Sequence, residues 1–187
     1  MVTSEALDSA HFDDAAPLVR IAHVDSEHDF AGGEVQVLLL LDGLRRRGFS
    51  VILVCPPDSE SARRARDRGI DVIEVAMRTD ADLPATVRLA RLWRELHIEL
   101  VHLHTGRANV VAGAAAWWAG VPAVTTRRME RPVRDSWKSR AVYGAFTAAT
   151  VAISPAVATC LAGGGVDPQR IHVIPEAVDP TRVESTR

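Results

Sequence analysis

The sequence predicts an α/β fold built on one doubly wound, mainly parallel sheet of about seven strands with helices on both faces. Two observations lead to this prediction. Short apolar segments alternate with helix-like segments along most of the 187 residues, and this spacing is typical of βαβ units. The apolar segments also mostly lack polar alternation, as expected of strands that are covered on both sides. Right-handed crossovers then place helices on both faces of the sheet.

Seven segments are predicted to form strands because each is short and rich in apolar or β-branched residues. In chain order they are Val19–Val24, Val51–Val54, Val72–Val75, Leu100–His104, Ala123–Thr126, Thr150–Ile153 and Ile171–Ile174. Residues 18–175 are therefore predicted to form one Rossmann-like domain.

Six segments between these strands are predicted to form helices, and most have recognisable ends. Gly48, Gly69 and Gly120 each follow a helix, as helix-ending glycines do. Ser154 and Pro155 open another helix as an N-cap serine and a first-turn proline. The predicted helices are Glu34–Arg47, Ser61–Arg68, Leu83–His97, Asn109–Ala119, Ser136–Ala148 and Ala156–Ala162.

The composition is that of a globular protein and argues against several other classes. With 47% hydrophobic and 25% charged residues the chain can bury a core, and a formal net charge of −2 does not favour nucleic acid as a partner. Residues 1–17 are acidic without sustained periodicity and are predicted to be a disordered tail. No signal peptide or membrane span is recognisable, so we expect a cytoplasmic protein. Cys55 and Cys160 lack metal-ligand spacing and are expected to be reduced thiols.

Glycine and polar residues follow the first and the fourth predicted strands. They are Gly32, Gly33 and Glu34 after the first strand, and Thr105, Gly106 and Arg107 after the fourth. In a doubly wound sheet, ligands bind outside the carboxyl ends of the strands, where the strand order reverses. Glycine lets the backbone approach a ligand closely, and a helix N-terminus offers unpaired N–H groups to an anion. We therefore predict a substrate crevice at these two strand ends.

Two histidines stand on the fourth predicted strand. His102 and His104 lie two residues apart, so both side chains project to the same face of the sheet. His104 stands at the open end of the strand, and we predict that it faces the substrate as a hydrogen-bond donor or proton carrier. His102 lies deeper and is predicted to be a hydrogen-bonded core residue. A metal site would need further ligands, and the spacing indicates none, so no metal is predicted.

A basic loop, residues 127–140, follows the fifth predicted strand. Arg127 and Arg128 begin it, and paired arginines at a strand end suit phosphate or carboxylate groups, although a solvated loop is an equally good interpretation. The loop holds six basic residues together with Met129 and Trp137. Because interfacial binding needs both charge and apolar contact, the loop predicts an anionic acceptor nearby or peripheral contact with an anionic membrane.

Other motifs are absent or have a structural explanation. The chain contains neither a G-x-G-x-x-G fingerprint nor a Walker lysine, which disfavours a nicotinamide-dependent dehydrogenase and a P-loop ATPase. Asp80 and Asp82 form a D-x-D motif like that of metal-dependent sugar transferases, but here they precede a helix and are interpreted as capping residues. Trp117 and Trp118 lie on an alanine-rich helix and are predicted to pack between that helix and the sheet.

Taken together, five stretches resemble the N-terminal half of a glycosyltransferase family 4 enzyme, which has the two-domain GT-B fold. They are residues 31–34 with 38–41 and 43–48, residues 101–104, residues 119–128, residues 152–155 and residues 173–179. The chain departs from the family pattern at two places. Glu34 follows Gly33 directly where members often read Gly-Gly-x-Glu, and Glu176-Ala177 replaces the Asn-Gly of the closing signature.

The resemblance implies that this chain is the acceptor-side domain of such an enzyme and that Gly32, Gly33 and His104 face the cleft. The implied partners are a glycan or glycolipid acceptor and a nucleotide sugar held by a C-terminal domain that the chain does not contain. Residues 176–187 would begin the linker to that domain. The resemblance also implies a hexosyl transfer with retention, without cofactor or metal, in which the leaving diphosphate is stabilised electrostatically. The chain alone would be inactive.

The remaining residues at the predicted crevice are expected to bind substrate or phosphate; they are Glu34, Thr105, Gly106, Arg107, Arg127 and Arg128. Two other functions stay open on the sequence. The chain could be half of a sugar-nucleotide epimerase, which shares the fold, or a non-catalytic binding or scaffold domain.

Overall fold

The computed structural model describes residues 19–177, and these form a single seven-stranded sheet in which every neighbouring pair of strands is parallel. The strands are β1 (Arg20–Val24), β2 (Ser50–Cys55), β3 (Asp71–Glu74), β4 (Leu100–Leu103), β5 (Ala123–Arg127), β6 (Ala149–Ala152) and β7 (Ile171–Val173). Their order is β3-β2-β1-β4-β5-β6-β7. The doubly wound sheet predicted from the sequence is confirmed. The predicted tail over residues 1–17 lies outside the described residues.

Helices occupy the segments between the strands. They are α1 (Gly32–Arg45), α2 (Glu60–Arg66), α3 (Leu83–Glu95), α4 (Gly106–Ala119), α5 (Trp137–Arg140) and α6 (Pro155–Gly163). Gly48, Gly69 and Gly120 have φ values of 85°, 65° and 73°, the left-handed conformation that ends a helix. Ser154 caps α6 as predicted, since its side chain accepts a hydrogen bond from the Val157 backbone N–H.

The core consists of an apolar layer on each face of the sheet. On one face α3 and α4 pack on the strands through a cluster that includes Leu89, Trp93 and Val111. On the other face α1 and α2 pack through Leu38, Leu41 and neighbouring small residues. Apolar residues alternate between the two layers along β2, as strands covered on both faces require. The two layers leave the carboxyl edge of the sheet free for loops.

The segment after β5 differs from the single helix predicted over Ser136–Ala148. The short helix α5 passes into one π-helical turn, Ala141–Phe146, which ends at Thr147 before β6 begins. The Thr147 hydroxyl donates to the Val142 carbonyl at 2.8 Å and satisfies a backbone acceptor where the helix stops.

Trp117 and Trp118 do not pack between helix and sheet, so that prediction is wrong. Their side chains are 64% and 52% exposed. The buried face of α4 is instead filled by small residues, Ala108, Val111, Ala112, Ala115 and Ala116. Because successive helix residues point about 100° apart, the two tryptophans turn away from this face.

One glycine after α6 should be intolerant of substitution because it holds the basic loop in place. A β-carbon built on Gly164 would lie 2.4 Å from the Val133 β-carbon and 2.6 Å from the Val133 carbonyl oxygen. Gly164→Ala should therefore lower the free energy of unfolding by about 1–3 kcal/mol, the usual cost of overpacking. Gly163→Ala is the matched control, since nothing lies within 4 Å of its added β-carbon. Urea denaturation of both variants tests this, and equal stabilities would contradict it.

Candidate functional site at the carboxyl edge of the sheet

A cavity opens between α1 and the carboxyl ends of β4, β5 and β6. Its volume is about 400 Å³. One wall comes from α1, including Gln36 and Leu40, and the opposite wall comes from His102, Thr126 and Arg128 at the ends of β4 and β5. The cavity therefore holds basic and hydrogen-bonding groups against an apolar wall, but of the residues predicted to bind substrate only Arg128 lines it.

The start of α1 borders this cavity but differs from the prediction in detail. The helix begins at Gly32, and neither Gly32 nor Gly33 has a positive φ. A β-carbon on Gly33 would meet the Arg128 side chain at 3.9 Å, so the absence of a side chain keeps the approach to Arg128 open. The Glu34 carboxylate accepts a hydrogen bond from the Ala31 backbone N–H at 2.7 Å. Glu34 thus closes the first turn of α1, which is a structural use of a carboxylate that was expected to bind substrate.

Arg128 and Arg47 are the cationic groups of the cavity wall, and Arg128 is the one beside His102 and Thr126. Its guanidinium forms an ion pair with Glu176 at 2.5 Å and donates to the His104 carbonyl at 3.3 Å. The segment after β7 that carries Glu176 crosses the cavity, and Gln36 donates to the Ala177 carbonyl at 2.9 Å. Arg128 is therefore held at the cavity by a carboxylate, the type of group that an anionic ligand would replace.

The two histidines of β4 lie at depths opposite to those predicted. His102 lines the cavity and its Nε2 lies 2.8 Å from the Thr126 hydroxyl. His104 is only 6% exposed, and its Nε2 lies 3.1 Å from Nδ1 of His23. The depth prediction failed because α1 and the segment after β7, rather than the end of β4, form the mouth of the cavity.

His23 is a third histidine at this edge, and the sequence did not single it out. β1 and β4 pair in parallel with His23 opposite His102, so the side chains share one face of the sheet. The ring centroids of His23, His102 and His104 are separated by 4.2–5.4 Å. The sequence did contain a sign of this arrangement. His23 lies one residue before the end of β1, and His102 lies one residue before the end of β4, the strand that pairs with β1.

Burial makes charge on these imidazoles unfavourable. It lowers the pKa of His23 and of His104 well below the usual value of 6.5, and the neighbouring imidazoles lower both further. Burial, with a smaller contribution from the Arg128 guanidinium, lowers the pKa of His102 to about 4. Conversely, burial raises the pKa of the Asp25 carboxyl, next to the end of β1, to about 6. At neutral pH the three rings are uncharged.

The other predicted site residues lie away from this cavity. Thr105 holds two loops together, since its hydroxyl lies 2.7 Å from the Ser26 hydroxyl. Arg107 donates to the Met77 carbonyl at 3.2 Å. Gly106 and Arg127 line a second, smaller cavity of about 240 Å³ beneath the basic loop. The structure therefore brings Gly33, Arg128 and the histidines together and leaves Thr105, Gly106, Arg107 and Arg127 outside the lining of this cavity.

The D-x-D motif is a helix start, as predicted. Asp82 caps α3 by accepting from the Ala85 backbone N–H at 3.1 Å, and Asp80 forms an ion pair with Lys138 of the basic loop. Within residues 19–177, none of the helices is both long enough and apolar enough to cross a membrane.

The chain was compared with family models, with curated proteins and with solved structures. The model of glycosyltransferase family 4 matches residues 30–182. No curated protein matches the chain significantly.

Three solved structures illustrate the likeness in fold. HepE of Anabaena, solved in complex with UDP and glucose, superimposes with a TM-score of 0.70 at 17% identity over 90% of this chain and 49% of its own. A glycosyltransferase of Rickettsia africae gives 0.70 at 16% identity over 90% and 48%. A UDP-N-acetylglucosamine 2-epimerase of Listeria monocytogenes gives 0.57 at 12% identity over 83% and 44%. The chain spans about half the length of these proteins.

Proposed function

The chain belongs to glycosyltransferase family 4 and has the fold of the N-terminal half of a GT-B enzyme, and we propose that it is the acceptor-binding half of a sugar-nucleotide-dependent glycosyltransferase. The proposed reaction transfers a glycosyl group, with retention at the anomeric carbon, to a hydroxyl of a glycan or glycolipid. The nucleotide sugar would be bound mainly by a second domain that faces the cavity. The proposed setting is cytoplasmic.

One observation carries this proposal: the cavity between α1 and the ends of β4–β6 combines cationic groups, hydrogen-bonding groups and an apolar wall. The Arg128 side chain is 19% exposed, and its guanidinium can pair with a phosphate or a carboxylate. His102 and Thr126 supply hydrogen-bonding atoms on the same wall, and Leu40 of α1 supplies apolar surface opposite. Such a mixture is typical of sites that bind sugars and anions in open α/β folds.

The residues of this wall have separate proposed roles. Arg128 would bind an anionic group of the bound substrates and would exchange Glu176 for it. The open backbone at Gly32 and Gly33 would let a ligand approach the start of α1. His104 does not line the cavity, so the proton-carrying role proposed for it would act through His102, whose ring centroid lies 4.2 Å away. The leaving diphosphate would be stabilised by basic groups rather than by a metal ion.

The function can be tested with this chain joined to the donor-binding domain of a family 4 enzyme. Incubated with UDP- and GDP-sugars, this two-domain form should release nucleoside diphosphate only when a suitable glycan or glycolipid is added. Conversion of UDP-N-acetylglucosamine to its epimer without any acceptor would instead support the epimerase function, which the Listeria structure keeps as an alternative. A folded two-domain form that shows neither reaction with any donor or acceptor of the panel would support a non-catalytic domain.

We also propose that the basic loop contacts an anionic membrane. Trp137 and Met129 are 80% and 55% exposed, whereas Lys138 and Arg140 form ion pairs with Asp80 and Asp135. Exposed aromatic and apolar groups beside cations are what interfacial binding requires. Liposomes with anionic lipid should therefore float the wild type, and Trp137→Ala or an Arg131/Arg134/Lys138→Ala variant should float at least several-fold less. Trp118→Ala, on the far end of α4, is the control; equal flotation of all variants would contradict the proposal.

A further inference from the structure

The three histidines at the carboxyl edge, His23, His102 and His104, have the chemistry of a transition-metal site. His23 and His102 come from adjacent parallel strands and lie directly opposite each other in the register. His104 directly follows β4, and its backbone N–H donates to the Val24 carbonyl at 3.0 Å. Each offers a ring nitrogen, and these nitrogens lie within 4.8 Å of one another. No other group of three or more potential ligands of this kind occurs among residues 19–177.

The hydrogen bonds of the trio leave ring nitrogens without a protein partner. His23 and His104 share one hydrogen bond of 3.1 Å, and His102 Nε2 bonds the Thr126 hydroxyl at 2.8 Å. His23 Nε2 and His104 Nδ1 are buried and have no hydrogen-bond partner within the described part of the chain. Because the hydrogen bond between His23 and His104 needs one nitrogen as acceptor, at least one of these rings carries an in-plane lone pair toward the other.

The spacing is close to that of bound imidazoles. Two nitrogens that bind Zn²⁺ tetrahedrally at about 2.0–2.1 Å lie about 3.3 Å apart, and the His23–His104 pair is already at 3.1 Å. A metal ion would replace that hydrogen bond with coordinate bonds from His23 Nδ1 and His104 Nε2, and the unpartnered nitrogens, His23 Nε2 and His104 Nδ1, would then carry the ring protons. The hydrogen bond from His102 to Thr126 would orient the third ring, as outer-shell partners do in metal sites.

We propose that His23, His102 and His104 bind one borderline divalent transition-metal ion, of the class of Zn²⁺, Ni²⁺ or Cu²⁺. Three imidazoles suit these ions, whereas Mg²⁺ and Ca²⁺ require oxygen ligands. Three protein ligands leave one coordination position for a solvent or substrate oxygen. Since His102 lines the cavity, that position is reachable from solvent. The guanidinium of Arg128 is the positive charge that acts on His102 and His104, and it donates to the His104 carbonyl at 3.3 Å. This inference does not rest on the proposed transfer reaction, and it is an alternative to the proton-carrying role of His104 and His102, because a metal-bound imidazole cannot also accept and release a proton.

Calorimetric titration of the whole chain with ZnCl₂ tests the proposal. We expect one saturable site with a dissociation constant in the micromolar range or tighter. His102→Gln should weaken binding by about a hundredfold or more, since loss of even an outer-shell partner costs about 10- to 100-fold. His28→Gln is the matched control, because His28 is exposed on the loop after β1 and outside the trio. Absence of saturable binding, or undiminished binding by His102→Gln, would overturn the proposal.

A second measurement needs no variant and keeps the test decisive if a substitution impairs folding. In the wild-type chain, the imidazole signals of exactly three of the seven histidines should shift on addition of Zn²⁺ in heteronuclear NMR spectra. The shifts should reverse on addition of EDTA. Shifts confined to histidines other than the trio, such as His28 and His172, would show surface binding and reject the site.

Discussion

Replacing Arg128 by alanine should lower kcat/KM of the two-domain form by about a hundredfold. The reason is that the proposed transfer develops negative charge at the cavity, and removing one preorganised donor to such charge costs about a hundred- to a thousandfold in comparable sites. Of the two arginines that line the cavity, Arg128 is the more buried one and lies beside Gly33, whereas Arg47 is exposed. Arg128→Lys should recover only part of the activity, because a lysine cannot reproduce the forked hydrogen bonding of a guanidinium.

The control for this experiment is Arg46→Ala, which removes an exposed arginine just after α1 and should leave kcat/KM unchanged. Thermal unfolding must accompany the assay, since Arg128 also pairs with Glu176 and donates to the His104 carbonyl. Glu176→Gln separates the two effects: it breaks the same ion pair but should not lower activity. If Arg128→Ala retained activity within about threefold of the wild type, Arg128 would not be part of the substrate site.

Mild acid should destabilise this domain strongly. The pKa values of His23, His102 and His104 are lower in the folded state than in the unfolded chain, where they lie near 6.5. The unfolded chain therefore takes up protons first as the pH falls. The stability that depends on neutral imidazoles is fully present above pH 6.5 and is lost as the pH falls toward 4, the folded pKa of His102.

Asp25 acts in the opposite direction over the same range. Its folded pKa of about 6 lies above the usual 3.8 because burial penalises the charged carboxylate. Protonation as the pH falls through 6 removes that penalty in the folded state and therefore stabilises the fold. Each pH unit between folded and unfolded pKa values is worth about 1.4 kcal/mol per group. His102, with a folded pKa of about 4, loses about 2 kcal/mol of stability between pH 7.5 and pH 5, and Asp25 offsets about 1 kcal/mol of this loss. His23 and His104 add to the loss, so we expect a net destabilisation.

Thermal unfolding in EDTA at pH 7.5 and pH 5 measures this loss, which should lower Tm by more than about 3 °C, at about 2–4 °C per kcal/mol for a domain of this size. His102→Gln should reduce the difference between the two pH values, and Asp25→Asn should increase it. His28→Gln should leave it unchanged, since His28 is exposed. A Tm that is equal or higher at pH 5 would show that these imidazoles are not buried uncharged.

The fold was predictable because its signals are local. Each strand is a short apolar run, and the glycines at 48, 69 and 120 mark helix ends through a backbone conformation that other residues rarely adopt. All seven strands lie within one residue of their predicted ends. The prediction failed where the buried face of an element depends on its neighbours. Trp117 and Trp118 were predicted to be buried because they are apolar, but the face of α4 that packs on the sheet consists of smaller residues.

The site was less predictable because it depends on contacts between distant parts of the chain. His23 and His104 are 81 residues apart, and only the pairing of β1 with β4 brings their rings together. The depth of His102 relative to His104 depends on the segment around Glu176, which crosses the cavity from the end of the described chain. Glu34 shows a third reason why the site was hard to predict. A carboxylate at a helix start can accept a hydrogen bond from the helix backbone as readily as it can bind a ligand.

The central claim is that this chain supplies one wall of a site whose other wall binds the nucleotide sugar. Calorimetric titration of the chain alone with UDP- and GDP-sugars tests it most directly. We expect no binding tighter than the millimolar range, which corresponds to about −4 kcal/mol, because the cations and amides of a second wall are absent and the open cavity leaves Arg128 screened by water. Micromolar binding of a nucleotide sugar, or sugar transfer by the chain alone, would contradict the claim and place the donor site within residues 1–187.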